Sequence, residues 1–197
     1  EITENIRIWD YTTQFTNFLA PFPNLRTLQP NIQLFNQNNA KWIFEQHSNQ
    51  PSELFELRSY LTSKLLWNPN LNQEEIIADF LKNYYGAAAP FIQKYITNIH
   101  DELEKDSSFF LFLYGDPSQG FNSFLSKKNL TQYDSLFNAA AKSVEGKREF
   151  LNRVNEARLS TDYASLEFEK LNLYKGLKND GGKLIDERLA RFQQTTS

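Results

Sequence analysis

Leu54, Leu57, Leu61 and Leu65 recur at three- and four-residue intervals, the period of one helix face. Trp67-Asn68-Pro69 ends that helix, because proline disfavours helical backbone in the residue before it. Asn72 then caps a second helix, with Glu75 three residues on completing an N-x-x-E variant of the capping box. Ile76, Phe80 and Tyr84 form one face of it, with Ile77 and Leu81 beside them. Gly86 stands where a helix C-cap glycine belongs, and Ala87-Ala88-Ala89-Pro90 opens a third helix that passes Tyr95 and Ile99 to about Leu103. These are two tight helical hairpins.

Upstream the period changes. Ile6–Tyr11 is a short run of β-branched and aromatic residues and predicts a strand; Ala40–Gln46 predicts another. Between them, the prolines of Pro21-Phe22-Pro23 force a loop, and Leu28, Ile32 and Phe35 predict a short helix. Strand, helix, strand is the βαβ pattern, which implies parallel pairing. Two parallel strands alone are not a viable sheet, so they call for neighbours.

Downstream, Phe109–Tyr114 is continuously apolar, and period cannot separate a buried strand from a buried helix there. Gly115-Asp116-Pro117 ends it, and Gly120 adds a second break. Thr131 with Asp134 predicts a cap for a helix carrying Tyr133, Leu136, Phe137, Ala140 and Val144. Gly146 separates it from a long helix bearing Phe150, Leu151, Val154, Ala157 and Arg158 and reaching about Tyr174. Asn179–Gly182 is a turn, and Leu184–Phe192 a terminal helix. The expected fold is mostly α with a small parallel β component, divided into residues 1–50 and a helical region, 51–197.

Composition narrows the function classes. The 197 residues are 40% apolar, enough for one proper core, with 17 Phe, 9 Tyr and 3 Trp. A formal charge of −3 argues against a nucleic-acid footprint, which needs a basic face. No apolar run is long enough to span a membrane, and no signal peptide is visible. The absence of cysteine removes disulfides, zinc thiolates and cysteine nucleophiles together. The chain begins at Glu1 rather than at an initiator methionine, which reads as a fragment or a processed piece.

Five strings stand in a set order: IRIWDYTTQFTNFLAPFPNL from Ile6, WIFEQ from Trp42, KLLWNP from Lys64, FLKNYYGAAAPFIQKY from Phe80 and RVNEARLSTDYASLE from Arg153. In that order they resemble the bacterial domain of unknown function 4838, a family associated with glycoside-hydrolase-like barrels. The resemblance implies the C-terminal portion of a (β/α)₈ barrel similar to those of α-glucuronidases and β-hexosaminidases, followed by helices. The two strands are then the last two of eight. It also implies a secreted or periplasmic bacterial protein acting on or binding oligo- or polysaccharide. A complete barrel takes about 250 residues, so this piece alone is expected to be inactive. Its strands should meet the rest of the barrel or pair as a homodimer. A non-catalytic carbohydrate-binding or scaffold role stays open, and so does a stand-alone α-helical interaction domain.

Barrel active sites sit at the C-terminal ends of strands. Asp10 and Glu45 stand at the ends of the two strand runs, and glycoside hydrolysis generally uses two carboxyl groups across the sugar. Both are candidate catalytic residues; the alternative has Asp10 capping the next turn and Glu45 pairing a cation or capping a helix. Tyr11, Trp42 and His47 are candidate substrate contacts, with Tyr11 favoured, core packing the competing role for Trp9 and Trp42, and surface or helix capping for His47. His100, among Asp101, Glu102 and Glu104, is expected to be solvated. The two histidines make neither a zinc pair nor a serine triad, and Gly115–Gly120 lacks the lysine of a phosphate loop. Asn129-Leu130-Thr131 matches a glycosylation acceptor but so short a pattern arises by chance; Lys147, Arg148 and Arg153 read as a solvated helix face. No metal and no cofactor are expected.

Overall fold

The computed structural model describes residues 3–48, 52–174 and 182–196. Strand β1 (Ile6–Tyr11) and strand β2 (Ala40–Gln46) pair in parallel, with Arg7 beside Trp42, Ile8 beside Ile43, Trp9 beside Phe44 and Asp10 beside Glu45. Helix α1 (Leu25–Gln37) makes the crossover and contains Pro30. Alternation along the strands gives the sheet two unlike faces. Ile6 and Ile8 look toward Leu34 and Phe35 of α1, and Ile43 packs against the core. The other face carries Arg7, Trp9, Tyr11, Trp42 and Phe44 and is open. Trp9 and Trp42 are each 66% exposed, which corrects their expected core role: among the described residues, helices lie only on the isoleucine side.

Helix α2 (Phe55–Trp67) stops at Asn68, and α3 (Gln73–Tyr85) starts from Asn72, whose side chain accepts from the N–H groups of Glu74 and Glu75. Its amide returns to the Glu75 carboxylate at 3.2 Å. Leu57, Leu61 and Leu65 are buried as their spacing predicts. On α3 the fully buried stripe is Ile77, Leu81 and Tyr85, one residue on from Ile76, Phe80 and Tyr84, which are half-buried. Gly86 turns the chain with φ +56° and ψ −124° into a single 3₁₀ turn and then α4 (Ala89–Glu104).

The Phe109–Tyr114 run is neither a buried strand nor a buried helix. Its backbone hangs on the loop after β1: Phe15 N–H donates to Leu113 C=O at 3.0 Å, and the Thr16 hydroxyl to Tyr114 C=O at 2.8 Å. Phe109 and Leu111 touch the core, while Phe110, Phe112 and Tyr114 are exposed. Helix α5 (Lys127–Ser143) begins earlier than Thr131, because the Ser126 hydroxyl accepts from Asn129 N–H. Gly146, at φ +77°, separates it from α6 (Arg148–Tyr174), and α7 (Gly182–Thr196) follows. The expected turn at 179–182 lies outside the described residues up to 181.

One core joins Leu25, Leu28 and Ile32 of α1 to α2–α6, across the 50/51 division. Beside it, the buried Glu53 and Arg58 pair at 2.8 Å, and Arg58 also donates to the Phe22 carbonyl at 3.2 Å. His100 is a correction to the solvated reading. Its ring turns away from the acidic neighbours, Nε2 accepts from Leu25 N–H at 3.1 Å, and Nδ1 lies 2.8 Å from the Ile96 carbonyl. Arg153 is not freely solvated either: its guanidinium stacks 4.2 Å over Tyr84. No helix among the described residues is long and apolar enough to cross a membrane.

Candidate functional site

Parallel register puts Asp10 and Glu45 side by side at the carboxyl ends of β1 and β2, on the helix-facing side of the sheet. Asp10 Oδ1 accepts from the Tyr11 N–H at 2.8 Å. Glu45 has no such anchor. Both carboxyl oxygens are shielded from solvent and accept no hydrogen bond. Burial pushes its pKa up to about 7, and the neighbouring Asp10 carboxylate adds to the shift. Among the described residues Glu45 has neither the expected cation nor a helix to cap.

His47 follows on the same side. Its ring stacks on Phe55, the first residue of α2, at 4.7 Å and 11° between planes. Nδ1 lies 3.3 Å from the Thr12 hydroxyl, and Nε2 has no hydrogen-bond partner. Burial, helped by the Arg58 charge, pushes its pKa down to about 4, so the ring is neutral at pH 7. The histidine is thus a packed group, not a surface one. Thr12, Glu45, His47, Ser59, Thr62, Ser63 and Leu66 line a cavity of about 180 Å³. Thr62 is only 8% exposed and its hydroxyl is unpartnered. A carboxyl that titrates near neutrality, with a second carboxyl beside it, is an acid–base arrangement.

Tyr11 and Trp42 do not join this cluster. They project from the open face, Tyr11 edge-on to Phe15 at 5.2 Å and Trp42 under the Arg7 guanidinium at 5.9 Å. The structure therefore brings together Asp10, Glu45 and His47, and puts the two aromatic candidates on the opposite face. Sequence reasoning missed Thr12 and Thr62. One signal was available for Thr62: with Arg58 it forms a polar i, i+4 pair beside the leucine stripe of α2, and both are buried. Among the described residues no group of three or more His, Cys, Asp or Glu is arranged to hold a metal ion.

The family model of the domain of unknown function 4838 matches residues 1–97, which supports that family for the part holding β1, β2, Asp10, Glu45 and His47. Residues 98–197, including the Arg153–Glu167 string, lie beyond the match. No curated protein and no solved structure matches the chain.

Proposed function

We propose, with the match of residues 1–97 to domain of unknown function 4838 as premise, that the chain is the C-terminal part of a carbohydrate-active, glycoside-hydrolase-like barrel protein. The observation that carries this reading is Glu45. Its carboxyl titrates near 7 beside Asp10, at the carboxyl ends of two adjacent parallel strands. In this role protonated Glu45 donates to the leaving glycosidic oxygen, and Asp10 is the second carboxyl group that activates water or attacks. The open sheet face is further support. Parallel sheets are covered on both faces, and α1 covers only one here, so Trp9, Trp42 and Phe44 call for a cover from the remainder of the protein.

The test is turnover of aryl glycosides and aryl uronides by the full-length natural polypeptide. Glu45→Gln and Asp10→Asn, made separately, should each lower kcat at least about 100-fold with no loss of thermal stability. Unchanged turnover in both variants would remove the catalytic reading.

A second reading, carbohydrate binding without catalysis, is favoured by the exposed aromatic face. Trp9, Tyr11, Trp42 and Phe44 form an apolar platform on the side away from the carboxyl pair, and exposed platforms of this kind mark interaction sites. In that reading Trp42→Ala weakens oligosaccharide binding, followed by tryptophan fluorescence, while Glu45→Gln leaves it intact.

A further inference from the structure

A cleft of about 770 Å³ has no part in either reading. Its volume falls in the range of small-molecule sites. Phe18 and Leu19 of the loop after β1 form one wall, Phe55 and Glu56 of α2 another, and Tyr85 and Glu156 close it from α3 and α6. Leu54 holds the corner with φ +49°, a left-handed backbone that is uncommon for leucine. That turn sends Glu53 inward to Arg58 and leaves Phe55 and Glu56 on the cleft; the Glu53 N–H, donating to Phe18 C=O at 3.0 Å, ties the two walls together.

Three polar groups on this cleft, Tyr85 and the exposed Glu56 and Glu156, have no protein partner among the described residues. Tyr85 is 2% exposed, yet among the described residues its hydroxyl makes no hydrogen bond, and it lines the cleft. Glu56 and Glu156 accept no hydrogen bond and join no ion pair within 4 Å among the described residues. One cation, Arg153, also lines the cleft, and its charge favours the ionised Glu156. Arg153 donates to Glu149 at 2.5 Å and to the Tyr84 carbonyl at 2.9 Å while stacking on the Tyr84 ring. Burial and then Glu56 push the Glu156 pKa up, and burial with the same two carboxylates pushes Tyr85 up. The cleft therefore has Phe18, Leu19 and Phe55 as apolar walls, a phenol with no protein partner among the described residues, and two carboxylates against the one guanidinium of Arg153.

We propose that this cleft binds a small organic ammonium ion, its apolar body against Phe18, Leu19 and Phe55 and its ammonium between Glu56, Glu156 and the Tyr85 hydroxyl. A primary ammonium has three donors and no acceptor, which suits two carboxylates and a phenol oxygen. A neutral alcohol of the same shape supplies one donor and no charge. A carboxylate meets like charge and is rejected.

The experiment is calorimetric titration of the chain with phenethylamine, phenethyl alcohol and 3-phenylpropanoate at about pH 8, where ordinary carboxylates are ionised. The amine should bind saturably, the alcohol at least about tenfold more weakly, and the acid not detectably. Glu56→Gln and Glu156→Gln should each weaken the amine several-fold, Tyr85→Phe should weaken it without unfolding the chain, and Asp10→Asn and Glu45→Gln should leave it unchanged. No heat from phenethylamine up to about 10 mM, or equal binding of amine and alcohol, would overturn the proposal. So would unchanged amine affinity in both glutamate variants. The three-ligand comparison on the unaltered chain decides the matter even if a variant fails to fold.

Discussion

Glu45, His47 and His100 are displaced from their ordinary titration ranges by the same cause, burial, with opposite consequences for stability. Glu45 moves from 4.5 to about 7, so the folded state holds a proton that the unfolded chain releases. Its contribution is present below 4.5 and is lost as pH rises through 7. Each histidine moves from 6.5 to about 4, so its contribution is present above 6.5 and is lost as pH falls through 4. Between 4.5 and 6.5 the carboxyl therefore opposes the two imidazoles. Glu45→Gln should raise stability at pH 8 by on the order of 1 kcal/mol, allowing for the group's partial solvent contact. It should also steepen the acid loss. Urea melts across this pH range check both, and a profile identical to that of the parent chain would refute them. None of this was legible at residue level. The acidic neighbours of His100 suggested solvent, but a helix turns its neighbours to different faces, and this ring faces the Leu25 N–H.

At the scale of elements the pattern reads well. The bounds of β1 and β2, the stop at Trp67, the Asn72 cap and the turn at Gly86 all follow from local chemistry. Leu65, fully buried in the shared core, should cost about 2–5 kcal/mol on replacement by alanine; a loss below about 1 kcal/mol in denaturant melts would contradict its place there. Gly86→Ala should also destabilise, by more than about 1 kcal/mol. Its φ of +56° suits glycine, and an added Cβ would stand 3.2 Å from the Phe150 ring. Gly146→Ala is the comparison, since its Cβ would meet nothing within 4 Å and only the φ of +77° resists it. A Gly86 variant no less stable than the Gly146 variant would show that the ring gives way. The miss at α3 is also local. Two adjacent apolar stripes compete on that helix, and neighbouring helices chose the one at Ile77, Leu81 and Tyr85.

For the whole molecule, the terminal helix is held by charge as much as by apolar contact. Asp162 of α6, almost fully buried, lies 3.0 Å from Arg191 and 3.8 Å from Arg188, both on α7, and 3.6 Å from Arg158. Asp134 of α5 adds a 2.5 Å bond to Arg158. Removing the central carboxylate leaves three guanidinium groups around one remaining aspartate. Asp162→Asn should thus cost about 3–5 kcal/mol and release α7 first, seen as faster amide exchange in that helix. A loss confined to the rest of the chain, with α7 still protected, would count against this account.

The sequence by itself determined much of what depends on neighbours a few residues away: the two strands, the stop at Trp67, the Asn72 cap, the turn at Gly86 and the parallel βαβ unit that sets Asp10 and Glu45 at one end of the sheet, though not the cap of α5 or the form of the 109–114 run. Register and period are properties of the chain, and they carry through folding. Tertiary structure decided which face of the sheet, and which stripe of α3, meets the core. It placed Trp9, Trp42 and Tyr11 outside and Glu45, His47 and His100 inside, because α1 and α2 pack on one side of the sheet only. It hung Phe109–Tyr114 on the loop after β1 by backbone hydrogen bonds to residues about a hundred positions away. It also assembled the cleft between Phe18, Glu56, Tyr85 and Glu156 from segments that no local period connects. Burial sets the electrostatics of such sites, and burial is a property of the packed molecule.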